Sequence, residues 1–222
     1  MRRALLIGSL LGSAVPALAG DPELIVSLHV YAARSPTDVP EAAPPRVLLF
    51  DDGQLYLGGT SHVASTRLER DDYKDIEKEA SRVRKLSGLG SAVTLGSGTT
   101  RYRLVLGKGR PLEILATGDP GRAAPALRPL GELLEHLLGL DPPDLKPYRP
   151  AFYALRVRPA QVTGGCRAWT FMLPLADCLG SARSVPASAL LGWPSGAAAA
   201  SVCQGDKAFL VSLRPLLPGE KP

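Results

Sequence analysis

The chain has 222 residues, 45% hydrophobic and 21% charged, with a formal net charge of +5. That composition excludes a disordered chain, a collagen and a coiled coil, and the length suits one large domain or two modest ones with real cores. The 23 glycines and 21 prolines predict many stiff connections, but no stretch is repetitive enough to be a low-complexity linker. Asparagine is absent and arginine outnumbers lysine 19 to 7, the codon bias expected of a GC-rich bacterial genome. The basic residues are scattered rather than clustered, so nucleic acid is not an expected partner.

The N-terminus carries an export pattern. Met1-Arg2-Arg3 is a basic start, residues 4–15 are apolar, and Ala17-Leu18-Ala19 fits a small-x-small cleavage site. The apolar run is shorter than the roughly 20 residues a spanning helix needs. Residues 1–19 are therefore expected to be a signal peptide cleaved after Ala19, and the mature protein to be periplasmic or secreted. No Cys follows the site, so no lipid anchor is expected, and no later segment reads as a membrane span.

Residues 24–32 read as a strand. Residues 46–58 read as a hairpin, Val47-Leu48-Leu49-Phe50 and Gln54-Leu55-Tyr56-Leu57 flanking Asp51-Asp52-Gly53. Asp-Gly between two apolar runs marks a tight turn because glycine tolerates positive φ. Tyr73, Ile76, Ala80, Val83 and Leu86 then follow the spacing of one buried helical stripe. Asp71 and Asp72 lie near its start and Lys85 in its last turn, where each suits the helix dipole. Asp71/Lys74, Asp75/Lys78 and Glu79/Arg82 read as i,i+3 pairs on a solvated face.

The pattern repeats downstream. Residues 99–106 alternate, with Tyr102, Leu104 and Leu106 inward and Arg101 and Arg103 outward; Gly107 to Arg110 turn the chain and residues 112–116 return. Leu127, Leu130, Leu134, Leu137 and Leu138 form a second helical stripe, with Pro125 near its start and Gly139 after it. The expected fold class is thus α+β: an antiparallel sheet of two successive hairpin–helix units, helices on one face, over residues 20–141.

Residues 142–150 are a proline-rich connector. Residues 151–222 form a smaller, β-rich, disulfide-braced part that either stands alone or docks on the first sheet. Its strands are residues 152–158 and 167–173, then a short helical segment at 186–191 and a final hairpin, 200–203 and 207–213. In an oxidising compartment the three cysteines give one disulfide. Cys166–Cys203 is the favoured pair because both lie beside strands, leaving Cys178 in a loop.

Residues that carry chemistry are sparse. There is no G-x-S-x-G, no H-E-x-x-H, no C-x-x-C and no calcium loop. Gly88-Leu89-Gly90-Ser91 and Gly96-Ser97-Gly98 fall between a helix and a strand, whereas a phosphate loop opens a helix, so both read as connectors. Ser61, His62 and His136 are the candidates for a dispersed catalytic site, and Asp51/Asp52 and Asp71/Asp72 read as a turn and a helix start. No catalytic, cofactor or metal residue is assigned. Trp169, Phe171, Trp193 and Phe209 read as a core cluster, with Trp193-Pro194 a candidate contact loop for a protein or sugar.

Residues 102–106 through 126–130 resemble the end of emfourin-type metalloprotease inhibitors, which place two strands and a helix similarly. The glycine-rich N-terminal motif of that family is absent here, so no site residue is carried over. The resulting expectation is an exported, non-catalytic protein-interaction module, in its narrower form a protease inhibitor. An envelope-associated structural protein and a hydrolase with a non-local site are the alternatives.

Overall fold

A computed structural model describes residues 22–31, 44–59, 62–161, 166–193 and 199–220. The signal-peptide reading and Pro194 lie outside them, as does Ser61. The described residues form a mixed α/β structure, mostly strands, in two sheets with two α-helices.

The first sheet runs β5-β7-β6-β1-β2-β3-β4-β8. Its strands are β1 (Leu24–Tyr31), β2 (Val47–Phe50), β3 (Gln54–Leu57), β4 (Ala64–Arg67), β5 (Ala92–Leu95), β6 (Arg101–Leu106), β7 (Leu112–Gly118) and β8 (Lys146–Pro147). Helix α1 (Arg70–Arg84) lies between β4 and β5, and α2 (Arg128–Leu138) follows β7. The β2/β3 and β6/β7 hairpins form as their turn residues predict, and Gly53 takes φ 81°. The repeat is not two bare hairpin–helix units, however. β4 adds a strand before α1, and β5, in a segment read as a connector, pairs in parallel with β7. Unlike the equally short β2 and β3, these two strands carry no apolar run to show in sequence: β4 is Ala-Ser-Thr-Arg with no buried residue, and β5 buries only Leu95.

Apolar patterning decides which face each strand buries. In β6 only Tyr102, Leu104 and Leu106 are fully buried. They join Ile76, Ala80 and Val83 of α1 and Leu130, Leu133, Leu134 and Leu137 of α2 in the main core. β2 is buried at all four positions. Val47 and Leu49 belong to that core, while Leu48 and Phe50 belong to a second cluster with Tyr56, Val63 and Leu217. An unbroken apolar strand is what a sheet covered on both faces requires.

The predicted i,i+3 pairs on α1 are not the ones formed. Glu79 meets His136 of α2 at 2.8 Å, Arg82 meets Glu132 at 3.6 Å, and Glu77 pairs with Lys108 of the β6/β7 turn. These charges tie the helix to its neighbours rather than facing only solvent. At Gly107 in the same turn an added Cβ would overlap the Leu24 carbonyl, so the chain passes β1 only without a side chain there.

The second sheet runs β10-β12-β13-β9-β11, with β9 (Phe152–Pro159), β10 (Arg167–Ala168), β11 (Arg183–Pro186), β12 (Ala199–Gln204) and β13 (Lys207–Pro215). The strand expected over 167–173 stops at Ala168. Beyond it Trp169 is buried, its Nε1 donating to the Leu173 carbonyl at 2.7 Å, so the chain folds back on itself. β10 lies parallel to β12 with Ala168 opposite Cys203, which brings the Cys166 and Cys203 Cα atoms to 5.6 Å in a disulfide. Cys178 is a buried free thiol, pushed up in pKa by burial. The connector supplies β8, paired with β4, and Tyr148, whose hydroxyl donates to the Leu216 carbonyl at 3.1 Å.

The disulfide spans a sequence separation of 37, for which the chain-entropy account gives ~3–4 kcal/mol. A Cys166→Ser/Cys203→Ser variant is expected to lose that much in urea unfolding. An unchanged midpoint would show that the strands alone fix this region.

Candidate functional site

An open cleft of about 970 Å³ lies where the two sheets meet, at the upper end of the ~300–1,000 Å³ range of ligand pockets. One wall comes from the first sheet: Arg46 and the β3–β4 segment containing Gly58, His62 and Val63. The connector adds Tyr148 and Arg149, and the second sheet adds Tyr153, Leu213 and the Leu190–Trp193 turn.

Each wall is fixed by backbone bonding. The Arg46 amide donates to the Leu28 carbonyl at 2.7 Å, and its own carbonyl accepts from Gly58 at 3.0 Å. Gly58 has no room for a side chain, because a Cβ would sit 2.7 Å from the Pro45 carbonyl. The Arg46 guanidinium folds back to the Gly58 carbonyl at 3.4 Å. Tyr148 is held by its amide donating to Val63 at 2.8 Å and by edge contact with Tyr56 at 5.1 Å between centroids. Burial raises the Tyr148 pKa, so its phenol stays a neutral donor. Trp193 caps the turn, its amide donating to Leu190 at 3.0 Å, and its ring packs on Trp169 at 5.9 Å. It therefore has one side against the aromatic core and is also part of the cleft wall.

A polar junction lies between the same two sheets. His29 on β1 stacks with Tyr31 at 6.1 Å and faces the fields of Arg103 on β6 and Arg214 on β13. Arg103 bonds both oxygens of Glu113, at 2.8 and 3.2 Å, and holds that carboxyl below its ordinary pKa. Arg214, with its side chain 11% exposed, donates to Glu220 at 2.7 Å, and the same carboxylate oxygen accepts from the Leu217 amide at 3.0 Å. Arg214 Nε has no partner among the described residues.

The sequence candidates are dispersed. Trp193 and His62 line the cleft. His136 is engaged with Glu79 between the helices and does not line the cleft. Asp52 accepts a turn hydrogen bond from the Gln54 amide, and Asp51 accepts from the Glu23 amide just before β1, both at 2.9 Å. Among the described residues there is no group of three or more His, Cys, Asp or Glu placed to hold a metal, and no helix long and apolar enough to cross a membrane. Arg46, Tyr148 and Arg149 were not legible as site residues. Their signals were weak: an arginine directly before an all-apolar strand, and Tyr-Arg between prolines.

No protein-family model, no curated protein and no solved structure matches the chain. The resemblance over residues 102–130 gains no support from these comparisons.

Burial, then Arg103 and Arg214, lower the His29 pKa from 6.5 to about 4. The unfolded state thus binds the extra proton between those values, and the folded state resists it. Stability contributed by neutral His29 is full above pH 6.5 and declines as pH falls toward 4. Urea midpoints measured at pH 7 and pH 5 are expected to drop less in His29→Gln than in the parent. Parallel drops in the two proteins would refute this account of His29.

Proposed function

We propose that the chain is an exported, non-catalytic interaction module that holds an extended segment of a partner protein in the cleft between its sheets. The observation carrying this reading is the seating of Trp193 in the cleft wall, packed from behind by Trp169. A large aromatic fixed by its own core contacts loses little side-chain entropy on binding, which is why such residues anchor interfaces. Tyr148 and Tyr153 place two more amphipathic rings around the same space.

Two further features support the setting. The Cys166–Cys203 bridge suits an oxidising compartment, and the basic-apolar-small start of the chain is the pattern of a cleaved export signal. The partner then lies in the periplasm or outside the cell. A secreted protease is the narrower candidate, with the module acting as its inhibitor.

The test uses mature protein, from Gly20 onward, with Trp193 intact and a photo-crosslinking side chain at the exposed lining position 191 or, as control, at the exposed turn position 206. Each is exposed to culture supernatant and periplasmic extract. One partner captured from position 191 alone, and lost when unlabelled parent but not Trp193→Ala competes, is the expected result. Capture of a protease directs a titration of its activity. Equal capture from both positions, or none, refutes the cleft as the docking site, and recovery only in the insoluble envelope fraction favours a structural role.

A further inference from the structure

Arg46 is half-buried in the cleft wall, and its backbone is locked into the ladder between β1 and β3. A guanidinium carries five N–H donors in a rigid fork that matches a carboxylate. Among the described residues this fork meets one acceptor, the Gly58 carbonyl, at a long 3.4 Å, and no carboxylate. Its remaining donors are not sealed off, since the buried side-chain atom without a partner is Arg214 Nε and none belongs to Arg46. They are left to whatever enters the cleft.

The rest of the lining gives that demand a sign. Arg149, exposed, adds a second positive charge, and Asp141 is the lone carboxylate among the lining residues. Leu57, Leu213 and Trp193 supply apolar surface in the same space. We propose that the cleft selects a polypeptide segment that bears a carboxylate beside apolar side chains, and that Arg46 grips the carboxylate. This rests on the cleft being the docking site, as argued above. The ion pair forms in a half-buried, partly dewatered position, where a bidentate charge-assisted pair is stronger than at an open surface. The carboxylate is a chain terminus or an Asp or Glu side chain, which the test separates.

The probe is a randomised hexapeptide library in two forms, free acid and C-terminal amide, passed over immobilised mature protein, with retained peptides sequenced by mass spectrometry. Peptides with a carboxylate are expected to be retained about tenfold or more over amides lacking Asp and Glu, corresponding to the usual strength of such a pair. Enrichment in the free-acid form alone assigns the carboxylate to the chain terminus, and enrichment of Asp or Glu within the amides assigns it to a side chain. Arg46→Gln is expected to erase the enrichment while apolar peptides still bind, and Arg46→Lys to restore part of it. Melting curves of both variants report whether the fold is kept, and Arg149→Gln is expected to weaken the enrichment less. If acid and neutral peptides are retained equally, and Trp193→Ala releases both, the cleft reading stands and the carboxylate proposal falls. An enrichment that survives Arg46→Gln in a folded variant overturns the role of Arg46. Retention of no peptide overturns both readings.

Discussion

Leu217 inserts among Leu48, Phe50, Tyr56 and Val63, on the face of the first sheet opposite the helices. Strands β2 and β3 are apolar on both sides, so a sheet covered by helices on one face alone would leave Leu48, Phe50 and Tyr56 in water. At roughly 25 cal/mol per Å² of apolar surface, exposing three such side chains costs several kcal/mol. The C-terminal residues after β13 remove that cost. The cleft follows from the same docking, because its walls belong to one sheet on one side and to the other sheet on the other.

The docking is not purely apolar. Arg214 leaves β13 as the chain turns toward Leu217, and Glu220 closes back on it while accepting from the Leu217 amide. One carboxylate thus neutralises a largely buried cation and fixes the backbone that carries the apolar anchor. Removing Glu220 would leave Arg214 buried without a counter-charge, the arrangement most costly for an ion pair. His29 stays neutral near Arg214 and Arg103 because a third cation there would be both desolvated and repelled. The junction therefore tolerates two arginines only with Glu113 and Glu220 in place.

The sequence showed the helices and hairpins because their signals are local. Ile76, Ala80 and Val83 recur at helical spacing, and Asp52-Gly53 encodes its own turn. The Cys166–Cys203 pair was legible for a related reason, since Cys166 directly precedes one strand and Cys203 lies near the end of another. The strands β4, β5 and β11 were not, because each buries at most one residue, unlike the equally short β2 and β3, and owes its place to a partner strand rather than to its own pattern. The charged residues of α1 misled in the same way. An i,i+3 rule cannot register that Glu79 has His136 of another helix within 2.8 Å. The cleft was the least legible feature, since Arg46, Tyr148 and Trp193 are remote in sequence and meet only through the docking of the sheets. Of its residues, only Trp193 and His62 stood out in the sequence, the first as a large aromatic near a proline-containing loop and the second as a candidate for a dispersed catalytic site.

A cleft built this way couples binding to the fold. Any ligand touching both Arg46 and Trp193 bridges the two sheets, so its binding energy also opposes their separation. The two sides are not equally secured. Arg46 sits in a sheet that shares its core with both helices, whereas Trp193 follows a short turn in a sheet whose outer strand β10 has two residues and a disulfide beside it. The bridge restrains that outer strand, and Trp169 passes the restraint on to Trp193 through ring contact. On the docking proposed above, a ligand meets one wall braced in this way and spends less of its binding energy on ordering that side of the cleft.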